Sequence, residues 1–221
     1  MGEGVSILST KTLGADAKSI VGARGWTLIE EDFIAVRPLH PSLPDPTPGT
    51  LAVFTSENGV IPGNWPVACV SGRTLEAVRA QAMDVVCTAP HAKALAQAII
   101  ADGRFTKTVF FCALDHRPEL TNTLRDAGIP VQEVPVYETI CTPKLIAPPF
   151  DAVLFFSPSG VDSFFQVNRL QKGTVCFAIG ETTAGALKDY TDERIIVSEA
   201  PTQATLLASV GFYYDNQQCH E

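Results

Sequence analysis

The chain has 221 residues, of which 46% are hydrophobic, enough to bury one large core or two modest ones. Its 16 basic and 24 acidic residues give a net charge of −8, which argues against nucleic-acid binding, since that needs a basic surface to recruit phosphates. No apolar run approaches the roughly 20 residues that span a bilayer, and the first residues, MGEGVSILSTK, lack the features of a secretory signal.

The six cysteines point to a reducing compartment. They form no C-x-x-C pair and no cluster with histidine, so neither a disulfide framework nor a metal site is indicated. Four of them lie within apolar, strand-like runs, which is typical of small reduced core residues: Cys69, Cys87, Cys112 and Cys176. We therefore expect a cytoplasmic protein.

Short runs rich in Val, Ile and Phe alternate along the chain with Ala- and Leu-rich stretches at helical spacing. In chain order, strands are predicted at 5–9, 28–33, 51–55, 67–70, 84–87, 108–112, 131–136, 152–156, 175–179 and 194–197. Helices are predicted at 15–23, 73–80, 91–101, 118–127, 161–168, 182–189 and 202–210. Strands without in/out alternation, separated by helices, are typical of parallel sheets covered on both faces, so the sequence predicts an α/β fold.

Two proline-rich segments interrupt this rhythm. Residues 37–49, RPLHPSLPDPTPG, hold five prolines and are predicted to have no regular structure. Residues 137–149, YETICTPKLIAPP, hold three more. Because proline fixes backbone angles, both segments are predicted to be stiff, extended connections.

The two segments suggest a domain layout, since they bracket five predicted strands and only two strands precede the first of them. We predict a discontinuous α/β domain of residues 1–36 and 143–221, with a second α/β domain of residues 40–136 inserted into it. The connectors, residues 37–39 and 137–142, would run side by side as a two-stranded hinge.

The chain also contains an internal sequence repeat of three stretches, which we call the echo. LAVFTSENGVI matches AVLFFSPSGVDSF, VACVSGRTLEAV matches VCFAIGETTAGAL, and VVCTAPHAKALAQAI matches IIVSEAPTQATLLASV. These matches pair Ser56 with Ser157, Thr74 with Thr183 and Pro90 with Pro201. Because the matches keep one order with slowly growing offsets, we infer two copies of one α/β unit.

Each echo falls where a strand ends and a helix begins, at the sheet edge where open parallel sheets bind ligands. The first helical turn offers unpaired N–H groups and partial positive charge to carboxylates or phosphates. The alternative is that Ser159, Thr182 and Thr202 merely cap their helices. Matching junctions in both halves favour a ligand site, because a hinge would turn the two edges towards one cleft. FTSENGV, SPSG and IGETTAG contain no Lys or Arg, so backbone amides and hydroxyls would hold the anion.

The motifs FFSPSGVDSF, AIGETTAGAL and APTQATLLASV, with the hinge VPVYETI, resemble the uroporphyrinogen-III synthase family. The resemblance runs in order along nearly the whole chain and is strongest in residues 131–210. It favours two flavodoxin-like parallel-sheet domains joined by a two-stranded hinge, one domain being discontinuous. The inserted domain departs from the family pattern: IPGNWP replaces a longer helix, and CALDHRPEL keeps Arg117 and Leu120 but not the glycines.

The resemblance implies a cyclising lyase that needs no metal or organic cofactor. The family takes hydroxymethylbilane, a linear tetrapyrrole with eight carboxylates, removes water, inverts the last pyrrole ring through a spiro intermediate and closes uroporphyrinogen III. The hydroxymethyl group is prone to leave by itself, and unassisted closure gives the uninverted isomer. The enzyme therefore chiefly has to hold the chain so that the inverting path wins, which is catalysis by orientation.

The match to the family's hinge tyrosine makes Tyr137 the candidate catalytic residue, as a proton donor to the departing hydroxyl. Its alternative role is a packed tyrosine whose hydroxyl meets a backbone carbonyl. The candidate substrate-binding residues are Ser56, Asn58, Thr74, Ser157, Pro158, Ser159, Gly180, Thr182, Thr183 and Arg117. The expected partner is the small-molecule substrate alone, with no nucleic acid and no membrane, and the expected state is a monomer.

Two other classes of function stay open at this point. A non-catalytic, hinge-closing two-domain small-molecule binding protein would share the architecture and the backbone-lined cleft. A flavodoxin-like or nucleotide-sugar-using protein would bind phosphate at the same sheet edge, but the sequence has neither a clear G-x-G-x-x-G nor a P-loop. Colour would separate the last class, because a purified flavoprotein is yellow and the synthase would be colourless.

Overall fold

A computed structural model describes residues 4–147 and 149–217 of the chain. Its strands are β1 (Ser6–Ser9), β2 (Thr27–Glu30), β3 (Ile34–Pro38), β4 (Thr50–Phe54), β5 (Pro66–Val70), β6 (Asp84–Ala89), β7 (Lys107–Ala113), β8 (Val131–Cys141), β9 (Ala152–Phe155), β10 (Val175–Ala178) and β11 (Ile195–Val197). Its helices are α1 (Ala15–Ala23), α2 (Arg73–Ala80), α3 (Ala92–Asp102), α4 (Glu119–Asp126), α5 (Pro158–Val167), α6 (Glu181–Leu187) and α7 (Gln203–Gln217), with a 3₁₀ turn at Glu57–Gly59. No helix within the described ranges is long and apolar enough to cross a membrane.

The chain divides into two compact units. The outer unit consists of Met1–Ala35 and Ile140–Glu221, and the inserted unit of Val36–Thr139. The chain passes from one unit to the other on β3 and again on β8, which are neighbours in one sheet. The domain boundaries and the hinge drawn from the sequence stay predictions.

The sheet of the outer unit has the order β2-β1-β9-β10-β11, and its strands pair in parallel. Counted along the chain, this is the flavodoxin-like order 2-1-3-4-5, in which the connections reverse direction between β1 and β9. The predicted parallel α/β fold is confirmed.

The sheet of the inserted unit has the order β3-β8-β7-β4-β5-β6. Strands β4 to β8 pair in parallel, whereas β3 runs antiparallel to β8: Leu39 N donates to Val136 O at 2.8 Å, and Thr142 N donates to Phe33 O at 2.9 Å. Counted from β4 the parallel strands have the order 3-2-1-4-5. Counted from β7, however, the row β8-β7-β4-β5-β6 has the same order, 2-1-3-4-5, as β2-β1-β9-β10-β11, so the strand order of the inserted unit is a circular permutation of that of the outer one.

The permutation agrees with the internal echo. It makes β4 equivalent to β9, β5 equivalent to β10 and β6 equivalent to β11, and these are the strands of the three echoed stretches. The remaining equivalent strands are β7 and β1, and β8 and β2. The echo did not include them, because β7 and β8 come last in the inserted unit whereas β1 and β2 come first in the outer unit.

Each sheet is covered on both faces, which explains the continuous apolar runs of its central strands. Every residue of β4, β9 and β10 is buried, whereas the edge strand β2 alternates between exposed and half-buried residues. In the outer unit Ile7 packs with α1 and α7, and the next residue, Leu8, packs on the opposite face with α5 and α6. Each such fully buried side chain contributes about 1.5–3 kcal/mol to stability.

The structure corrects the prediction for the proline-rich segments. Residues 34–38 form β3, so the expectations of two strands before the first segment and of no regular structure from residue 37 onward are wrong there. Pro38 is compatible with a strand because β3 lies at the sheet edge, where a missing N–H leaves no neighbour unpaired. Residues 137–141 likewise continue β8 instead of leaving the sheet.

Candidate functional site

The first candidate junction follows β4 in the inserted unit. The Ser56 side chain caps the 3₁₀ turn by accepting a hydrogen bond from Asn58 N at 3.3 Å, and Asn58 itself is exposed. Gly59 is buried beneath them: a Cβ at this position would lie 3.0 Å from the carbonyl oxygen of Phe111. Any larger residue would push the turn away from β7, so glycine holds Asn58 at this sheet edge.

The second junction joins β5 to α2. Gly72 adopts φ +79°, a conformation that favours glycine, and lets the chain enter the helix directly after the strand. Arg73 Nη1 contacts Glu57 Oε1 at 3.2 Å, which ties this junction to the first one. Thr74 is only 5% exposed, so its hydroxyl offers little surface to a ligand.

Tyr137 lies at the same edge of the inserted sheet. It pairs with Ala113, the last residue of β7, and its carbonyl oxygen accepts a hydrogen bond from Leu114 N at 2.8 Å. Its ring lies beside the 3₁₀ turn, since a Cβ built on Gly59 would be 3.6 Å from Tyr137 Cε1. The side chain is half-buried, and within the inserted unit its hydroxyl has no hydrogen-bond partner.

Arg117 lies in the loop between β7 and α4, and its side chain is exposed. Its neighbour His116 is held by the protein instead: Nδ1 is 3.2 Å from Ala113 O, and Nε2 is 3.5 Å from Glu133 Oε2. The inserted unit therefore gathers Asn58, Arg117 and Tyr137 at one sheet edge as groups that a ligand can reach.

In the outer unit, the SPSG junction between β9 and α5 is an N-cap with one spare amide. Ser157 caps the helix by accepting a hydrogen bond from Gly160 N at 3.0 Å, and Pro158 occupies the first helical turn, where its missing N–H costs nothing. Of this turn's amides, Ser159 N–H has no acceptor in the described part of the unit. The alternative in which Ser159 caps the helix is therefore wrong, and Ser159 instead presents an amide and a hydroxyl.

The junction between β10 and α6 has a different construction. Gly180 is the N-cap, its backbone is extended, and its carbonyl oxygen accepts hydrogen bonds from Thr183 N and Ala184 N, both at 3.1 Å. Thr182 is exposed and does not cap, contrary to the alternative reading, while Thr183 is 3% exposed. Open space surrounds Gly180, because a Cβ there would meet nothing within 4 Å. Thr202 does cap α7, accepting from Thr205 N at 3.1 Å.

The buried thiols take no part in this chemistry. Burial raises the pKa of Cys112 to about 11 and that of Cys176 to about 12, so both stay protonated near neutral pH and neither is a nucleophile. Over the described ranges, no group of three or more His, Cys, Asp or Glu residues is arranged to hold a metal ion.

One junction at this edge was missed in the sequence. Residues 10–14 connect β1 to α1, and β1 lies next to β9 in the sheet. Thr10 donates to Leu154 O through its amide at 3.0 Å and its hydroxyl at 2.7 Å, so the segment runs beside SPSG. The echo did not point to it because its counterpart follows β7, at the other end of the inserted segment. Finding this junction requires the order of the strands in the sheet, which the sequence does not show.

The geometry thus defines a two-unit, doubly wound α/β protein whose parallel-sheet edges carry hydroxyl- and glycine-rich junctions. A sequence model described as Uroporphyrinogen-III synthase HemD matches residues 17–208. The chain is similar in structure to uroporphyrinogen-III synthetase from Helicobacter pylori, with a TM-score of 0.71 and 16% identity over 93% of this chain and 98% of that one. It is also similar to a mutant uroporphyrinogen III synthase from the extremely thermophilic bacterium Thermus thermophilus, with a TM-score of 0.57 and 15% identity over 97% and 99%. No curated protein matches the chain.

At these identities the solved structures show the shared fold, and the family match shows the family. The chain belongs to the uroporphyrinogen-III synthase family, whose members are cyclising lyases of haem biosynthesis. The family match spans both units and every candidate junction from β4 to α7. The alternative of a non-catalytic binding protein is not favoured.

Proposed function

We propose that this chain converts hydroxymethylbilane to uroporphyrinogen III, with loss of water and inversion of the last pyrrole ring. The family match over residues 17–208 carries the proposal. The candidate junctions agree with it, because a substrate that bears carboxylates along its length needs several dispersed donors at helix starts.

The role proposed for each candidate residue follows from whether its polar groups are exposed or buried. The Ser159 amide and hydroxyl, the Thr182 hydroxyl and the Asn58 amide would bind substrate carboxylates, and the exposed guanidinium of Arg117 would supply positive charge. Ser56, Ser157, Pro158 and Gly180 would set the backbone of these junctions through their capping positions. The buried Thr74 and Thr183 would act from beneath, by shaping the first turns of α2 and α6.

Tyr137 is the proposed proton donor. Its phenol would protonate the hydroxyl of the substrate as the C–O bond breaks, so that water departs and the azafulvene cation forms. A hydroxyl without a partner in its own unit, at a sheet edge beside an exposed asparagine, is a suitable donor. Holding the two ends of the linear tetrapyrrole in place then selects ring inversion over direct closure.

The setting of the reaction completes the proposal. We propose a cytoplasmic monomer that works without metal or organic cofactor and binds neither nucleic acid nor membrane. The net charge of −8 and the reduced cysteines support this reading. The discontinuous domain of residues 1–36 and 143–221, the inserted domain of 40–136 and the hinge at 37–39 and 137–142 belong to the same proposal.

A product-isomer assay tests the function. The protein is coupled to hydroxymethylbilane made in situ, the products are oxidised, and the isomers are separated by chromatography. Isomer III above the uncatalysed background is the expected result. Isomer I alone would refute the proposal, and a heat-denatured sample of the same protein gives the background.

A further inference from the structure

The junction between β1 and α1 brings a lysine to the edge of the outer sheet beside SPSG. β1 pairs with β9, and the two hydrogen bonds from Thr10 to Leu154 O fix the start of the junction against that strand. A Cβ on Gly160 would lie 3.9 Å from Thr10 Oγ1, so the start of α5 and Thr10 are in contact distance. Lys11 is the next residue, and its side chain is exposed.

The backbone around Lys11 is held on both sides. The Ser9 hydroxyl donates to Lys11 O at 2.5 Å, and Ser9 itself is fully buried. The Asp32 carboxylate accepts from Thr12 N at 2.8 Å and from the Thr12 hydroxyl at 3.0 Å. The Lys11 side chain therefore extends from a fixed base, although nothing in the described part of the outer unit holds its ammonium group.

The two glutamates near this junction are paired with other lysines, and the Asp32 carboxylate is held by the Thr12 amide and hydroxyl. Glu30 accepts from Leu13 N at 2.6 Å and pairs with Lys18 Nζ at 2.8 Å, and Glu31 pairs with Lys144. Among the described residues of the outer unit, no carboxylate lies within 4 Å of Lys11 Nζ. Its positive charge remains available to a ligand.

The circular permutation provides an independent argument. Because β7 occupies in the inserted sheet the place that β1 occupies in the outer sheet, the loop after β7 corresponds to residues 10–14. That loop carries Arg117, which is also exposed. Both units thus place one exposed cation after the corresponding strand, next to a hydroxyl-bearing junction without Lys or Arg: FTSENG in one unit and SPSG in the other.

We propose that Lys11 is a substrate-binding residue, the outer-unit counterpart of Arg117, and that its ammonium group pairs with a carboxylate of the tetrapyrrole. This inference rests on the proposed function, from which it takes the class of ligand. Lys11 supplies the charge that SPSG lacks, and the Ser159 amide and hydroxyl supply directed hydrogen bonds from the adjacent junction after β9.

The test compares Lys11→Ala with Lys172→Ala, which removes the same charge from an exposed turn just before β10, at the opposite edge of the same sheet. Lys11→Ala is expected to raise KM about fivefold, the upper range for an exposed ion pair, with kcat unchanged. Lys172→Ala should leave both constants unchanged, and Lys11→Arg should restore KM to within about twofold. The difference between Lys11→Ala and the unmodified chain should shrink as salt rises from about 0.05 to about 0.5 M, which a structural defect would not do.

A binding measurement separates this inference from the proposed function. The oxidised, fluorescent uroporphyrin macrocycle is titrated into each variant, and Lys11→Ala is expected to weaken its binding about fivefold relative to Lys172→Ala. Equal KM and equal binding in the two variants, or a deficit that persists at high salt, would overturn the role of Lys11 while isomer III formation by the unmodified chain stands. Isomer I alone from the unmodified chain would overturn the proposed function, and a chain that also failed to bind uroporphyrin would overturn both.

Discussion

At the scale of single residues, the Tyr137 phenol has no hydrogen-bond partner within the inserted unit, so its role can be tested without disturbing the fold of that unit. Tyr137→Phe removes a hydroxyl that has no partner in its own unit, so the thermal midpoint should not change. Turnover to isomer III should fall roughly 10–100-fold, at or below the low end for a lost general acid, because the hydroxymethyl group also leaves unaided. The isomer assay measures it.

Tyr190→Phe is the matched control for that substitution. It removes an exposed phenol hydroxyl that donates to Asp162 of α5 at 3.0 Å in the outer unit, and Tyr190 is not among the candidate site residues. Its turnover should equal that of the unmodified chain. If Tyr137→Phe also kept the full rate, Tyr137 would have no part in the chemistry.

Two helical glycines give opposite expectations for the same substitution. Gly185→Ala, on α6 with open space around it, should raise the free energy of unfolding by about 0.5–1 kcal/mol through helix propensity. At Gly160 a Cβ would lie 3.3 Å from Ser157 Oγ, so alanine should displace the capping hydroxyl and lose about 0.5–2 kcal/mol of capping. Gly160→Ala should therefore bring no net gain in urea unfolding and should raise KM. A gain equal to that of Gly185→Ala would show that the cap tolerates the methyl group.

The SPSG junction shows what the sequence can and cannot establish about single residues. Its composition predicted a helix start at a ligand-binding edge, and α5 does begin there. The choice of Ser157 over Ser159 as the cap depends on Pro158, whose fixed φ suits the first turn of the helix and moves the cap one residue before it. The sequence also did not show which of these side chains are buried. Thr182 and Thr183 are adjacent and identical in type, yet only Thr182 is exposed.

At the scale of elements, α3 begins with an unusual cap. His91 Nδ1 accepts a hydrogen bond from Ala94 N at 3.2 Å, a task that aspartate or asparagine performs better. His91→Asp should raise the free energy of unfolding by about 0.5–1 kcal/mol, because the carboxylate also interacts favourably with the helix dipole. His91→Ala should lower it. Urea unfolding of the two variants measures both changes, and the same sign in both would show that the cap does not contribute.

Element prediction succeeded where periodicity was strong and failed where proline overrode it. α1 and α2 were predicted with the observed bounds, because their apolar residues recur at helical spacing. β3 was missed because Pro38 suggested a connection, although an edge strand accepts proline. α7 continues beyond the predicted residue 210 because Tyr213 and Tyr214 pack against the outer core and extend its buried face.

At the scale of the whole molecule, the sequence predicted a duplication but not its permutation. Three echoed stretches in one order were enough to indicate two copies of an α/β unit. The equivalence of β7 with β1, and of β8 with β2, was not visible in the sequence, because these strands come at different points in the chain order of the two units. Only hydrogen bonding between strands distant in sequence, such as β1 with β9, reveals them. The place of Lys11 in the candidate site was lost for the same reason.

Buried thiols in both units give the whole molecule one common response to alkaline pH. Burial raises the pKa of Cys112 in the inserted unit to about 11, and that of Cys176 in the outer unit to about 12, from the ordinary 9.0. Below pH 9 the thiols are protonated in folded and unfolded chains alike, and their contribution to stability is fully present. Above pH 9 the unfolded chain loses these protons first, so that contribution is lost as pH rises through the folded-state pKa values.

The slope of stability against pH measures this effect. Between pH 9 and about 11, each buried thiol should lower the free energy of unfolding by about 1.4 kcal/mol per pH unit. Urea unfolding in reductant at several pH values should show that Cys176→Ala flattens the slope by this amount, whatever its stability at pH 8. Cys141→Ala, which removes an exposed thiol, should keep the original slope. If the Cys176 and Cys141 variants had equal slopes, Cys176 would not hold its proton in the folded chain, and its burial in the outer core would have to be abandoned.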